Sequence, residues 1–379
     1  MKKPKIIVAE AHSRMSLAIV REMGEAGYEV EAAARVSKGD VFLCGRSRRV
    51  KRRHLLSDGD YKNELLLLGA NGSDGEKPVL FAPGIKTLEL IADNRDEFER
   101  AFRFLAPRRK ALSSAMDKTA VAAAAAELLL SVPREYDPDS PRFPCVIKYK
   151  NGEALGLAAR ERYAAFSDAG GYAETLDAMR RRGGVFVTEY VAGPAHGVSA
   201  VLNKESEAVA VFCHRRVREY PVAGGPSCCA ESVWEPGLIE QALALFKKIG
   251  LEGFAMAEFK GPVEKPYILE INPRVWGTYP LARASGAYFS VKYAEAAAGN
   301  GARAAESSNG CPYKNGVRMQ FFANDLMHLL ERRRLGVKTE GSVLLDFISP
   351  RVAGGVFEIS DLPGSLAYLR MLTKKGSAN

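Results

Sequence analysis

The chain has 379 residues, of which 47% are hydrophobic and 26% charged, and its formal net charge is +9. That length is long for one core and implies two or three packed domains of ordinary soluble composition. No run reaches the roughly 18 apolar residues of a bilayer span, and the apolar run after the basic start is too short for the h-region of a signal peptide, about 7–15 residues, so a cytoplasmic protein with no membrane partner is expected.

"KIIVA" (5–9) predicts a first buried strand, and the spacing from Met15 to Ala26 predicts a helix stopped by Gly27. "YEVEAAA" (28–34) and "PVLFAP" (78–83) read as further strands, and "NRDEFERAFRFL" (94–105) as a helix. The alternation is a βαβ pattern and implies a parallel sheet. A dinucleotide-binding domain would carry GxGxxG after its first strand. Here the turn reads "VAEAHSRMS", so a nicotinamide or flavin oxidoreductase is not expected.

"APRRKALSS" (106–114) looks like a connector, followed by an alanine-rich helix at 116–129 and a Pro- and Asp-rich loop at 132–144. "CVIKYKNGEALGL" (145–157) predicts a strand entering a polar turn with Gly152 and Gly156. Residues 172–182 read as a helix and "VFVTEYVAG" (185–193) as a strand. "GVSAVLN" and "AVAVFCHRRVREY" read as antiparallel strands, and 236–250 as an amphipathic helix stopped by glycine. Two strands at 253–261 and 265–272 form a hairpin, and helices are expected around 288–298 and 324–334.

The hairpin carries the strongest chemical signal. Period 2 puts Met256, Glu258 and Lys260 on one face, and Ile268, Glu270 and Asn272 on one face of the next strand. A loop centred near Glu264 sets Glu258 opposite Glu270. Two facing carboxylates repel, and a divalent cation removes the repulsion. Two carboxylates and an amide oxygen suit Mg²⁺ rather than zinc. The plain alternative is a solvent-facing pair of strands with scattered charge. Lys148, ending a strand beside a flexible turn, is placed to reach a phosphate; alone, it and Lys118 read as ordinary exposed lysines.

In order along the chain stand Asp117-Lys118, Ile147-Lys148, Glu189-Tyr190-Val191, Glu258 and Glu270-Ile271-Asn272-Pro273-Arg274. This series resembles the ATP-grasp superfamily, to which D-alanine–D-alanine ligase, biotin carboxylase and carbamoyl phosphate synthase belong, and the match covers about residues 1–300. The resemblance implies an α/β fold: a Rossmann-like parallel-sheet domain (1–106), then a two-lobed ATP-grasp domain with antiparallel sheets (107–310, lobes 107–188 and 189–310). Residues 311–379 would form an extension packing on the core. It also implies roles. Lys118 and Lys148 would contact ATP phosphates, and Glu189, Tyr190 and Val191 would hold adenine. Glu258, Glu270 and Asn272 would bind one or two Mg²⁺ ions, with Mn²⁺ an alternative. Arg274, with Lys148, would steady the transferring phosphoryl group. The acidic residue that often holds the ribose is missing after the hinge; His196 lies near that position.

"CHRRVREYPVAGGPS" (213–227) resembles segments of ATP-grasp enzymes described as carboxylate–amine ligases. Basic residues facing the metal site would bind a carboxylate, giving His214, Arg216, Arg218 and Ser227 as candidate substrate contacts; the alternative is a charged outer strand face. The expected activity is ATP-dependent, ADP-forming ligation of a small carboxylate to an amine. The runner-up readings are a carboxylase or carbamoyl-phosphate-type enzyme using bicarbonate, and a nucleotide-binding module without turnover. A homodimer is compatible with this family.

The run "RSRRVKRR" (46–53) holds six of the positive charges, and without it the chain carries +3. It reads as a solvated loop or strand edge, so nucleic acid is not an expected partner. The six cysteines lack CxxC spacing and read as free thiols, Cys228-Cys229 included.

Overall fold

The computed structural model describes residues 3–36, 41–57, 59–70, 76–150, 155–157, 161–222, 225–299, 311–337, 341–349 and 351–376. The N-terminal unit runs β1 (Ile6–Val8), α1 (Arg14–Glu25), β2 (Val30–Ala34), β3 (Val50–Leu55), α2 (Tyr61–Ala70), β4 (Val79–Phe81), α3 (Ile85–Asp93) and α4 (Arg95–Ala101). Its sheet is parallel with order β3-β2-β1-β4. All three residues of β1 are fully buried, as expected where helices cover both faces of a parallel sheet. The second half of the basic run lies on β3, the edge strand, where Lys51, Arg52 and Arg53 are exposed. Charged residues on an edge discourage pairing with other chains, and Lys51 also pairs with Glu29 at 2.5 Å.

Two expectations fail here for local reasons. The helix predicted over 94–105 ends at Ala101, because Arg103 leaves it to bridge Val79 in parallel. The presumed connector at 106–114 contains a helix, α5 (Arg109–Met116), which buries Ala111, Leu112 and Ala115. Those three apolar positions have helical spacing, but the arginines before them mask it.

The chain continues as α6 (Lys118–Glu127), β5 (Glu135–Tyr136), β6 (Cys145–Tyr149), β7 (Tyr163–Phe166), α7 (Tyr172–Arg182) and β8 (Val185–Glu189). Strands β5 to β8 form a separate antiparallel sheet of order β5-β8-β6-β7. Next come β9 (Ala195–Leu202), β10 (Ala208–Glu219), β11 (Ser227–Val233), α8 (Pro236–Ile249), β12 (Gly253–Lys260) and β13 (Tyr267–Asn272). Then follow α9 (Tyr279–Ala284), α10 (Phe289–Ala297), β14 (Arg318–Gln320), α11 (Phe322–Arg334), α12 (Gly341–Ile348), β15 (Val352–Gly354) and α13 (Leu362–Gly376). The large sheet has order β13-β12-β9-β10-β11-β14-β15. The residues after 310, expected to pack on the core, therefore also extend its sheet by two strands. No helix among the described residues is long and apolar enough to cross a membrane.

One apolar core joins the parallel sheet to the large sheet, with Tyr293 packed between Phe81 (ring centroids 4.4 Å apart, tilted) and Phe254 (4.8 Å, stacked). Within it, Glu22 of α1 is fully buried and accepts the N–H groups of Ser290 (2.7 Å) and Val291 (3.2 Å) at the start of α10, so one helix caps another. Burial pushes its carboxyl up to about 7, against the pull of those N–H bonds and of the Tyr279 hydroxyl. A folded-state pKa above the unfolded one means stability present below pH about 4.5 and lost as pH rises through 7, worth about 3 kcal/mol. We expect denaturant unfolding of Glu22→Gln to lose that much less stability than wild type between pH 5 and 8; equal losses would contradict it.

Candidate active site

The β5–β8 sheet, the hairpin β12–β13, the end of β10 and the first turn of α1 enclose a cleft of about 560 Å³. Asp117 caps α6 by accepting the N–H groups of Thr119 (2.8 Å) and Ala120 (3.3 Å), which points the following Lys118 at the cleft. Lys148 enters from β6, and Glu258 and Glu270 enter from directly opposed positions of β12 and β13, in the expected register. Past that pair the register slips: Phe259 faces Ile268 and skips Leu269. The bulge places Ile268, expected on the Glu270 face, in the core with Ile271 and turns Leu269 to the cleft.

Asn272 donates its amide to Glu270 (3.2 Å) and Glu258 (3.4 Å). The amide's N and O are assigned from that network, and half a turn offers the oxygen beside the two carboxylates. Among the described residues no group of three or more His, Cys, Asp and Glu could hold a metal; here the third donor is the amide. This all-oxygen set fits a hard divalent cation such as Mg²⁺.

The carboxylates differ in state. Burial holds Glu258 above the usual carboxylate range although Arg216 pulls it down, and Glu270 adds to the rise. Burial also raises Glu270, whose side chain is 39% exposed, but Lys118 (3.8 Å away), the Asn272 amide and Arg216 outweigh it and the net shift is downward. Opposite stands a cationic group. Lys148 is pushed down to about 8, by burial first and by Lys118 second. Such mutual depression is relieved by an anion. Lys260, not singled out from the sequence, completes the group and lies over the Tyr190 ring at 5.3 Å. Its signal was present, since period 2 already set it on the Glu258 face.

At the hinge, Glu189 accepts the Arg134 N–H at 2.8 Å, and the Tyr190 N–H goes to the Pro144 carbonyl. The Val191 N–H makes no hydrogen bond among the described residues, which leaves a donor on the cleft wall. Arg274 lines the cleft with one amino group on the Val275 carbonyl at 3.0 Å.

The second candidate cluster divides. His214 and Arg216 face the cleft. His214 is buried and held neutral, its imidazole pushed down to about 3 by burial and then by Arg216, with Nε2 3.1 Å from the Thr278 hydroxyl. Arg216 binds Glu258 and, at 3.2 Å, Glu219, so its charge already serves the carboxylates. Arg218 is not a cleft residue: it lies buried between Asp325 (2.7 Å) and Asp346 (2.8 Å), an anchor for α11 and α12. Strand alternation would have aligned it with Arg216, but the register shifts at this point of β10–β11. Ser227 lines the cleft while its hydroxyl donates to the Cys229 carbonyl at 2.8 Å. His196 is buried on β9 away from the cleft lining, which removes it as a ribose contact. Cys228 and Cys229 are buried free thiols pushed up by burial, without the thiolate character of a redox pair. The turn at 151–154, with Gly152, and Gly224 lie outside the described residues.

Solved structures of several enzymes have similar folds. A biotin carboxylase complex with an ATP analogue from Campylobacter jejuni aligns with TM-score 0.61 and 15% identity, over 83% of this chain and 74% of that one. An L-amino acid ligase from Bacillus licheniformis aligns at 0.55 and 13%, over 78% and 75%. The biotin carboxylase domain of the Hydrogenobacter thermophilus 2-oxoglutarate carboxylase, with MgADP and bicarbonate, aligns at 0.61 and 13%, over 84% and 74%. No family model and no curated protein matches the sequence.

Proposed function

The chain has the ATP-grasp fold, and from that premise we propose that it is an ATP- and Mg²⁺-dependent, ADP-forming carboxylate–amine ligase. The observation that carries the reading is one cleft in which Glu258, Glu270 and Asn272 face Lys118, Lys148, Lys260 and Arg274. Two carboxylates and an amide set against a group of cations match a metal-bound polyphosphate in both charge and donor chemistry: the oxygens suit the ion and the cations suit the phosphates.

Bound there, Mg²⁺ supplies charge neutralisation to the phosphate oxygens. Glu258, Glu270 and Asn272 hold it; Lys118, Lys148 and Lys260 bind phosphate oxygens. The Val191 N–H and the Tyr190 segment receive the base. Arg216 orients Glu258 and favours its charged form against the effect of burial. The substrate carboxylate takes the γ-phosphoryl group, giving an acyl phosphate and ADP, and an amine then displaces phosphate to leave an amide. Arg274 steadies the charge that spreads over the moving group. His214, held neutral by burial, would offer a hydrogen bond to substrate without adding charge.

The test is ADP release screened over pools of small carboxylic acids and amino acids, with mass spectrometry of the products. An amide whose formation tracks ADP supports the reading; bicarbonate-dependent ADP release without an amine would replace it by a carboxylase. The lysines add a pH prediction. Lys148 must be protonated to bind phosphate, and burial pushes its ammonium down to about 8. Nucleotide affinity should therefore fall as pH rises through 8, and Lys148→Arg should flatten the profile; a wild-type profile flat from pH 7 to 9.5 would contradict the assignment.

A further inference from the structure

Arg14 belongs to neither the metal triad nor the lysine group, yet its side chain lines the same cleft from the N-terminal unit. It is the first residue of α1, after the cap Ser13, whose hydroxyl accepts the Ser16 N–H at 3.1 Å. A helix N-terminus carries partial positive charge and favours acidic residues; α1 has none in its first turn and opens on a guanidinium instead. That breaks a local rule, and broken rules concentrate at sites.

The guanidinium is held rather than loose. It lies over the Phe321 ring with its centre 4.1 Å from the centroid. One amino group sits beside Gly277, only 3.2 Å from where a β-carbon would stand, so any larger residue crowds it. It forms no hydrogen bond and no ion pair among the described residues, unlike the buried Arg21, Arg216 and Arg218, each matched to carboxylates. Stacking fixes the plane of the fork and leaves its N–H edge unspent. It lies beside the 274–278 turn, which carries Arg274 and the Thr278–His214 pair.

Resting on the ligase reading, we propose that Arg14 is a substrate clamp for a carboxylate that does not react: the second carboxylate of a diacid, or the α-carboxylate of an amino-acid amine. The reacting carboxylate needs the γ-phosphoryl group, Arg274 and the metal. Arg14 is supplied by another unit, where it reads the remainder of the molecule. A planar two-pronged donor matches a carboxylate, and the anion relieves the cation at the helix start. The substrate is therefore anionic after one carboxylate has been consumed or the amine has been deprotonated.

The experiment is calorimetric binding to the full chain loaded with Mg²⁺ and a non-hydrolysable ATP analogue. The probes are succinate against acetate, and L-alanine against L-alaninamide, with wild type, Arg14→Met and Arg14→Lys. Wild type should bind at least one carboxylate-bearing probe about 10-fold or more tighter than its counterpart, the range of a charge-assisted hydrogen bond. Arg14→Met should reduce that ratio to near one and Arg14→Lys to an intermediate value, with nucleotide affinity unchanged. The pair that shows the effect tells which substrate carries the carboxylate. Arg14→Met removes a cation from a helix N-terminus, so its melting temperature should not fall. No carboxylate preference in wild type, or a preference that survives in Arg14→Met, overturns the proposal. Failure of the ligase reading would show separately, as wild type that neither loads nucleotide nor releases ADP.

Discussion

Replacing Glu270 by Gln should lower Mg²⁺-dependent ADP release by at least about 10²-fold, the scale of losing one preorganised charge contact at a reacting phosphoryl group. The substitution is nearly isosteric, and Glu270 is 39% exposed with Lys118 as its nearest cation, 3.8 Å away. The melting temperature of the metal-free protein should thus move by only a few degrees, since exposed pairs are worth little. Glu258→Gln is expected to be just as inactive for a different reason. It leaves the buried Arg216 with Glu219 alone, so it should also destabilise the fold. The two variants separate ligand loss from folding. Wild-type ADP release by Glu270→Gln, measured by steady-state kinetics, would remove the metal assignment.

Arg274→Lys should lower kcat by about 10²-fold while leaving KM for ATP within a few-fold. The guanidinium is braced on the Val275 carbonyl directly after the strand-ending Pro273, a geometry an ammonium cannot reproduce. An interaction made only in the transition state costs kcat; one made equally to bound ATP costs KM. Single-turnover ADP formation would distinguish them, and an unchanged rate would exclude Arg274 from the phosphoryl transfer.

Much of the site was legible because it obeys short-range rules. The register of Glu258 against Glu270 followed from the hairpin length, and the series from Asp117 to Arg274 from its order along the chain. Beyond these, legibility stopped where the chain departs from period 2. The bulge at Leu269 reset Ile268, and the shift in β10–β11 carried Arg218 out of the cleft to Asp325 and Asp346. His196 looked eligible by its distance from the hinge, but strand pairing buried it. Arg14 offered only a cation at a helix start as a local signal, since it meets the cleft only when α1 packs beside the 274–278 turn. Helix α5 was hidden by its basic start. Residues 318–320 and 352–354 pair with β11 and each other only through long-range topology.

Every role proposed for the cleft depends on its binding a metal–polyphosphate. Equilibrium titration of the full chain with ATP, in Mg²⁺ and in EDTA, tests it most directly. Binding should be saturable with one site per chain in Mg²⁺, and weakened at least about 10-fold in EDTA and in Glu270→Gln. Binding indifferent to Mg²⁺ and to Glu270, or no binding at millimolar ATP, would contradict it.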